Sequence, residues 1–188
     1  MGWGVFFMIQ KKRRMQVVIM VALAVLVAGS FTVYVNAASV GQRLSNVQLF
    51  DSNNNPGKWI PDMGRKVLTV FYVDPDNQYN ESVRDALKAQ NLDKSKYRGM
   101  GVVNLDDTWK PNSVVRVMIR KKERKFNSVV LTDPSHILQK AWNLGNCNDK
   151  DVVIVIGKDR VVKYISNQPV RGAELQKLID IVKAEMAK

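Results

Sequence analysis

One cysteine and one histidine, Cys147 and His136, are all the thiol and imidazole that 188 residues contain. A lone thiol excludes an internal disulfide framework and a paired dithiol centre. A lone imidazole excludes a multi-histidine metal site. No cysteine neighbours His136 in sequence, so a Cys–His nucleophile pair has no local support. Internal repeats and low-complexity segments are also missing. Acidic residues are missing from the first 37 positions, which hold Lys11, Lys12, Arg13 and Arg14. Without cross-links, the stability of this chain must come from core packing.

The basic start is followed by an apolar run from Met15 to Gly29 and then by Val35-x-Ala37. A positive n-region, an apolar h-region and a small-residue site make an export signal, residues 1–37, with cleavage expected after Ala37. The alternative is an uncleaved anchor, because Val17 to Val35 carries no charge and is long enough to cross a bilayer. Gly29, Ser30 and Thr32 favour cleavage. Arg13-Arg14 lacks a good twin-arginine context, so ordinary secretion is expected.

The signal holds four of the 29 basic residues and none of the 17 acidic ones, which leaves residues 38–188 with a net charge of +8 (25 basic, 17 acidic). The size of this remainder suits one domain. Its charge speaks to solubility and to anionic surfaces, not to fold.

Strand and helix patterns alternate along it. Val47-x-Leu49 begins a short strand, and Asp51 to Gly57 is turn chemistry rich in asparagine. Lys66 to Val73 is a nearly continuous β-branched and aromatic run, as a buried central strand requires. Tyr79, Val83, Ala86 and Leu87 share one helical face, which predicts a helix from about Tyr79 to Gln90. Met100 to Leu105 predicts the next strand. Asn112 or Ser113 caps a helix through about Lys125. Ser128 to Thr132 predicts a third buried strand, and a short helix ends near Trp142. Asp151 to Ile156 and Arg160 to Ile165 flank Gly157-Lys158-Asp159, a tight hairpin. Leu175, Leu178, Ile179, Val182 and Met186 stripe a final helix from Gly172.

The order predicts an α/β fold, with parallel strands joined through helices and an antiparallel closing hairpin. A mixed sheet flanked by helices and ending strand–strand–helix is thioredoxin-like. A flavodoxin-like sheet is the rival, and the late hairpin argues against it. Thioredoxin-type enzymes carry Cys-x-x-Cys where the helix follows the central strand. Here Asp76-Asn77-Gln78-Tyr79 stands there, so dithiol–disulfide exchange is not expected.

Gly101-Val102-Val103-Asn104-Leu105-Asp106-Asp107-Thr108 resembles the V-N-x-D-D segment of the YtfJ family, small exported proteins of Gram-negative bacteria. Val129 to Asp133, Ala141-Trp142-Asn143-Leu144, Val152 to Val155, Gly157 to Val161, the terminal helix and Val40-Gly41-Gln42 continue the match. The resemblance implies a periplasmic, thioredoxin-like domain and supplies no catalytic residues. The uncleaved alternative implies an inner-membrane anchor facing the periplasm. Thioredoxins place a cis-proline before the strand at Val152; Asp151 stands there instead.

Candidate site residues cluster at predicted strand ends. Asp74, Asp76, Asp106 and Asp107 follow two neighbouring strands at the edge where open α/β sheets take ligands. Four carboxylates could hold a hard cation or cap helices and bind loop amides; the second use is expected, with no metal and no cofactor. Asp76 is expected to cap the helix. Asn104, Tyr79 and Trp109 complete a binding surface, and the Asn146 to Asp151 loop adjoins it. Trp59, Trp109 and Trp142 are expected to be packing anchors, although Trp109 could line a groove. Asp51-x-Asn53-x-Asn55 starts like a calcium loop, but Pro56 replaces the glycine its turn needs, so a polar connection is expected. Arg116, Arg120 and Arg124, with Lys121, Lys122 and Lys125, predict a basic stripe opposite Val114, Val115, Met118 and Ile119. A solvated face is the plain reading, and contact with an anionic membrane surface the functional one. Export disfavours nucleic acid. Cys147 is expected to be a surface or half-buried thiol. The chain reads as a non-enzymatic binding or accessory protein for an envelope protein or small ligand. The alternatives are a thiol- or metal-dependent enzyme and a membrane-tethered component.

Overall fold

The β-branched run ending at Val73 becomes the middle of a five-stranded sheet. A computed structural model describes residues 37–126 and 128–188; the expected signal segment lies outside the described residues. The strands are β1 (Gln48–Leu49), β2 (Lys58–Trp59), β3 (Val67–Val73), β4 (Tyr97–Asn104), β5 (Val130–Asp133), β6 (Asp151–Ile156) and β7 (Val162–Ser166). The helices are α1 (Glu81–Ala89), α2 (Asn112–Phe126), α3 (Ile137–Trp142) and α4 (Gly172–Ala187). The large sheet runs β5-β4-β3-β6-β7, and β1 pairs with β2 as a separate antiparallel ladder. β3–β4 and β4–β5 are parallel, whereas β3–β6 and β6–β7 are antiparallel. Helices thus join the parallel strands, and the Gly157–Val161 turn joins the last two.

Every residue of β3 is buried, and alternate side chains feed two cores. Leu68, Val70 and Tyr72 join Met100, Val102, Ile154, Leu138 and Trp142 on one face. Val67, Phe71 and Val73 meet Val83 and Leu87 of α1 and Leu178, Ile179 and Val182 of α4 on the other. Helix α2 sets Val115 and Ile119 against Leu105, Val103 and Val130. Fully burying one such aliphatic side chain stabilises by roughly 1.5–3 kcal/mol. The described residues belong to one compact unit of the chain.

The structure corrects several local expectations. The Asp51–Gly57 turn leads into β2, a two-residue strand too short to carry an alternation signal. Helix α1 begins at Glu81, after Asn80 rather than at Tyr79. Only Trp142 among the three candidate tryptophans is a packing anchor: it is fully buried, and its indole N–H donates to the Ser45 carbonyl at 2.9 Å. Trp59 and Trp109 are exposed. Asp51 accepts the Asn53 and Asn55 N–H groups, each at 2.9 Å, so the calcium-like stretch is the polar turn expected of it.

Replacing Trp142 with alanine is expected to cost about 3–5 kcal/mol, because the site loses both a large buried ring and its hydrogen bond. Urea unfolding checks this as a fall in midpoint at unchanged slope. A loss below about 1 kcal/mol would show that the core closes without the ring.

Candidate functional site

Strand ends bring four polar residues to one edge of the sheet. Asn104 and Asp133 are partners in the β4–β5 register, and Asp151 is opposite Val73, next to Asp74. All four are buried, so each must find partners within the protein. They do so by gripping the loops around them.

Asp74 accepts the N–H of Asp76 and the N–H of Asp149, both at 2.8 Å. Asn77, in the same loop, donates its side-chain amide to Asp149 at 3.1 Å. The segments after β3 and before β6 are therefore stitched together. Burial holds the Asp74 carboxyl above the usual carboxylate range, aided by the nearby Asp149 and Asp107 charges and opposed by the Asp149 N–H.

Asp76 does not cap a helix, contrary to expectation. Its carboxylate reaches across to the loop after β4, where it accepts the Thr108 hydroxyl at 2.8 Å and the Trp109 N–H at 3.3 Å, and pairs with Lys110. A helix that starts five residues later is out of its reach. Asn104 donates to Asp107 at 2.6 Å and accepts the Asp106 N–H at 3.1 Å. This leaves Trp109 80% exposed on a fixed loop, with the Lys110 ammonium 4.8 Å from its ring centre. Tyr79 is placed at the other flank: its hydroxyl donates to the Asn167 carbonyl at 2.7 Å.

Four participants escaped the sequence reading. Asn80 donates to the Asp151 carbonyl at 2.8 Å and accepts the Val170 N–H at 2.8 Å, while its own N–H reaches the Asp151 carboxylate at 3.0 Å. Arg84 completes that pair at 3.2 Å. Burial raises the Asp151 carboxyl, and Arg84 opposes the shift. Asp133 accepts the Ile137 and Leu138 N–H groups at 2.7 and 2.9 Å and the Tyr72 hydroxyl at 3.1 Å. Its one available signal was Asp-Pro-Ser ahead of a helix. His136 sits in left-handed backbone conformation, φ 55°, uncommon for a non-glycine residue. Its Nδ1 lies 2.9 Å from Asp106 and its Nε2 3.0 Å from Asp107, the second contact not aligned as a hydrogen bond. About thirty residues separate these partners in sequence, and no local pattern links them.

Among the described residues, no three His, Cys, Asp or Glu side chains converge as a metal ligand set. Cys147 is not the surface or half-buried thiol expected. It is fully buried against the first core, with its sulfur 3.8 Å from the Gly145 carbonyl. Burial pushes its thiol up to about 11, with Lys150 opposing, the reverse of what a nucleophilic cysteine needs.

The basic stripe is also corrected. Arg116 is buried, donating to Thr132 at 2.9 Å and to the Asp51 carbonyl at 3.3 Å. Arg120 donates to the Ser52 carbonyl at 2.8 Å. Two of the three arginines thus staple α2 to the β1–β2 turn, while Lys121 and Arg124 remain exposed.

Native Cys147 is expected to react with a soluble aromatic disulfide at least about a hundredfold more slowly than the urea-unfolded chain, the factor that its raised proton affinity takes from the thiolate fraction. Stopped-flow absorbance checks this. Equal rates would show an accessible thiol and return thiol chemistry to consideration.

A family model described as "Bacterial protein of unknown function (YtfJ_HI0045)" matches residues 73–185. A curated Haemophilus influenzae protein, described as uncharacterized, is 28% identical over 108 residues, 56% of this chain. The match spans 57% of that relative's length. Among solved structures, a DsbF homologue from Corynebacterium diphtheriae aligns with TM-score 0.58 at 12% identity, over 82% of this chain and 98% of that one. The exposed lipoprotein thioredoxin Etrx1 of Streptococcus pneumoniae aligns with TM-score 0.54 at 13% identity, over 72% and 98%. At such identities these two structures speak for the fold alone, which is thioredoxin-like. The family match covers more than half of the chain, and the protein therefore belongs to the YtfJ_HI0045 family of bacterial proteins.

Proposed function

We propose that this protein is an exported, non-enzymatic binding or accessory domain of the cell envelope. In this reading, the sheet edge that carries the dithiol in thioredoxin-type enzymes recognises a protein segment or small ligand. The observation that carries it is Trp109, a large aromatic ring held out in solvent on a loop whose backbone is gripped by Asp76. Rigid exposed aromatics are the usual anchors of recognition surfaces, because they bring contact area at little ordering cost.

Other features support the same reading. The edge has preorganised loops from three parts of the chain, 74–79, 104–110 and 146–151, joined by the Asp74, Asp76 and Asn77 hydrogen bonds. The single thiol is withdrawn into the core, so the edge offers a partner no thiol. Export is supported by the basic, apolar and small-residue succession of positions 1–37. The similar fold of the pneumococcal neighbour, described as an exposed lipoprotein thioredoxin, is in keeping with such a location. The buried Cys147 disfavours the thiol-enzyme alternative.

Two experiments test the proposal. Immobilised residues 38–188 should retain a specific partner or ligand from an envelope extract. Trp109→Ala should weaken that retention by about 2 kcal/mol or more, roughly thirtyfold, with the urea midpoint nearly unmoved because the ring is exposed. A Tyr79→Ala variant reads the opposite flank and also loses the Asn167 contact. Equal retention by Trp109→Ala and the unmodified domain would reject this surface. Separately, the intact mass of the envelope form should correspond to a chain beginning at Ala38. Retention of residues 1–37 would replace the released form with the membrane-anchored one.

A further inference from the structure

Helix α2 presents a composition that its packing does not require. Six of its seven ionisable residues are basic, and the one acid, Glu123, is turned inward. Its Oε2 accepts the Ser52 hydroxyl at 2.6 Å and its Oε1 the Val130 N–H at 2.9 Å. Arg116 is spent on Thr132 of β5 and on the β1–β2 turn, and Arg120 on that turn. The described charges left outside are Lys121, Lys122 and Arg124, all positive, of which Lys122 donates to the Gln78 side chain at 2.6 Å.

The preceding turns of the same outer face are aliphatic. Val115 and Ile119 are buried, but Val114, Val117 and Met118 are 49%, 42% and 43% exposed. These three fall at i, i+3 and i+4, so they form one patch on the helix surface. A helix that only covered a core would carry polar residues there. An aliphatic patch beside a basic one on an exposed helix supplies the apolar area and the positive charge on which binding to an anionic membrane surface depends.

We propose that the outer face of α2 docks on an anionic lipid surface. Val114, Val117 and Met118 enter the headgroup–acyl boundary, and Lys121 and Arg124 pair with lipid phosphates. Charge complementarity favours an anionic bilayer over a neutral one. The composition of α2 favours lipid over a protein partner: valine is under-represented among protein hot spots, and tryptophan and tyrosine, which are enriched there, are absent from the helix. The inference stands on α2 alone and does not depend on recognition at Trp109, which the variants below leave intact.

Sedimentation with lipid vesicles tests it, on the full chain and on residues 38–188, which contain every contact described above. Vesicles of phosphatidylcholine alone are compared with an equal mixture of phosphatidylcholine and phosphatidylglycerol. Residues 38–188 should bind the anionic vesicles, less tightly as salt rises, and leave the neutral ones. Lys121→Gln/Arg124→Gln should weaken partitioning by about twenty-five-fold, near fivefold per residue. Val117→Ser/Met118→Ser should weaken it by about tenfold. Both sets lie on the exposed face, and an unchanged urea midpoint shows that folding is intact. The same losses should appear in the full chain. No binding to anionic vesicles, equal binding to both kinds, or indifference to Val117→Ser/Met118→Ser would overturn the proposal. Tighter binding to duplex DNA than to the anionic vesicles would reassign the face to a polyanion and overturn it as well.

Discussion

Three carboxylates that water hardly reaches, Asp74, Asp133 and Asp151, hold the turns around β3 and β6 and the starts of two helices at one edge of this sheet. An isolated buried charge costs far more than a folded domain can spare. Each must therefore be surrounded by donors, which are backbone N–H groups of the adjoining loops together with the Tyr72 hydroxyl at Asp133 and the Arg84 guanidinium at Asp151. Asp133 fixes the start of α3, Asp74 fixes the turns on either side of the β3–β6 pair, and Asp151 fixes Asn80 ahead of α1. Burial raises the proton affinity of Asp74 and Asp151 above that of the unfolded chain. As pH rises past the ordinary carboxylate range, the unfolded chain has released these protons while the native state still holds them, and stability falls. Asp62 and Asp159 have the opposite sign. Desolvation works against ionisation there too, but hydrogen bonds from Arg98 and Lys66 to Asp62, and from Lys163 to Asp159, outweigh it and lower both carboxyls. Their contributions are lost on acidification.

That polar network occupies the place where a thioredoxin-type enzyme needs a reactive thiolate. A redox cysteine at a helix start uses free N–H groups to stabilise its negative charge. Here the approach to α1 is filled by Asn80, which is bonded to Asp151 and to Val170. The chain's single thiol lies in the hydrophobic core, where burial favours the protonated form. The fold is kept and the electrostatics are inverted: a site that would favour a thiolate is replaced by carboxylates satisfied from within.

The fold was legible because its signals are local. Lys66 to Val73 could hardly be anything but a central strand, and Gly157-Lys158-Asp159 between two apolar runs announced the hairpin that ends the sheet. The seven-residue burial of β3 and the antiparallel β6–β7 pair agree with both. The edge was legible as a place, since it follows from strand ends, but not as a set of contacts. Asp76 reads as a cap because helices commonly start after aspartate; whether its carboxylate meets the helix or a neighbouring loop depends on where β4 ends. Periodicity misjudged Arg116 and Arg120 for a similar reason. A 3.6-residue repeat groups side chains by face, but it cannot say that a long side chain will bend back to a distant turn. His136 left no trace, since its partners are some thirty residues upstream.

The loop at Thr108 to Lys110 joins the exposed Trp109 ring to the start of α2. Asp76 holds that loop through a hydroxyl, a backbone N–H and an ammonium group, and α2 begins at Asn112. One carboxylate therefore sets both the direction in which Trp109 projects and the point from which the helix departs. At the helix's far end, Glu123 bonds Ser52 and the first residue of β5, so α2 is fixed at both termini. A helix pinned in this way cannot roll to hide Val114, Val117 and Met118 without breaking the Arg116 and Arg120 bonds to the β1–β2 turn. The exposure of those three side chains is thus a consequence of the packing on the opposite side, where the arginines and Glu123 are held.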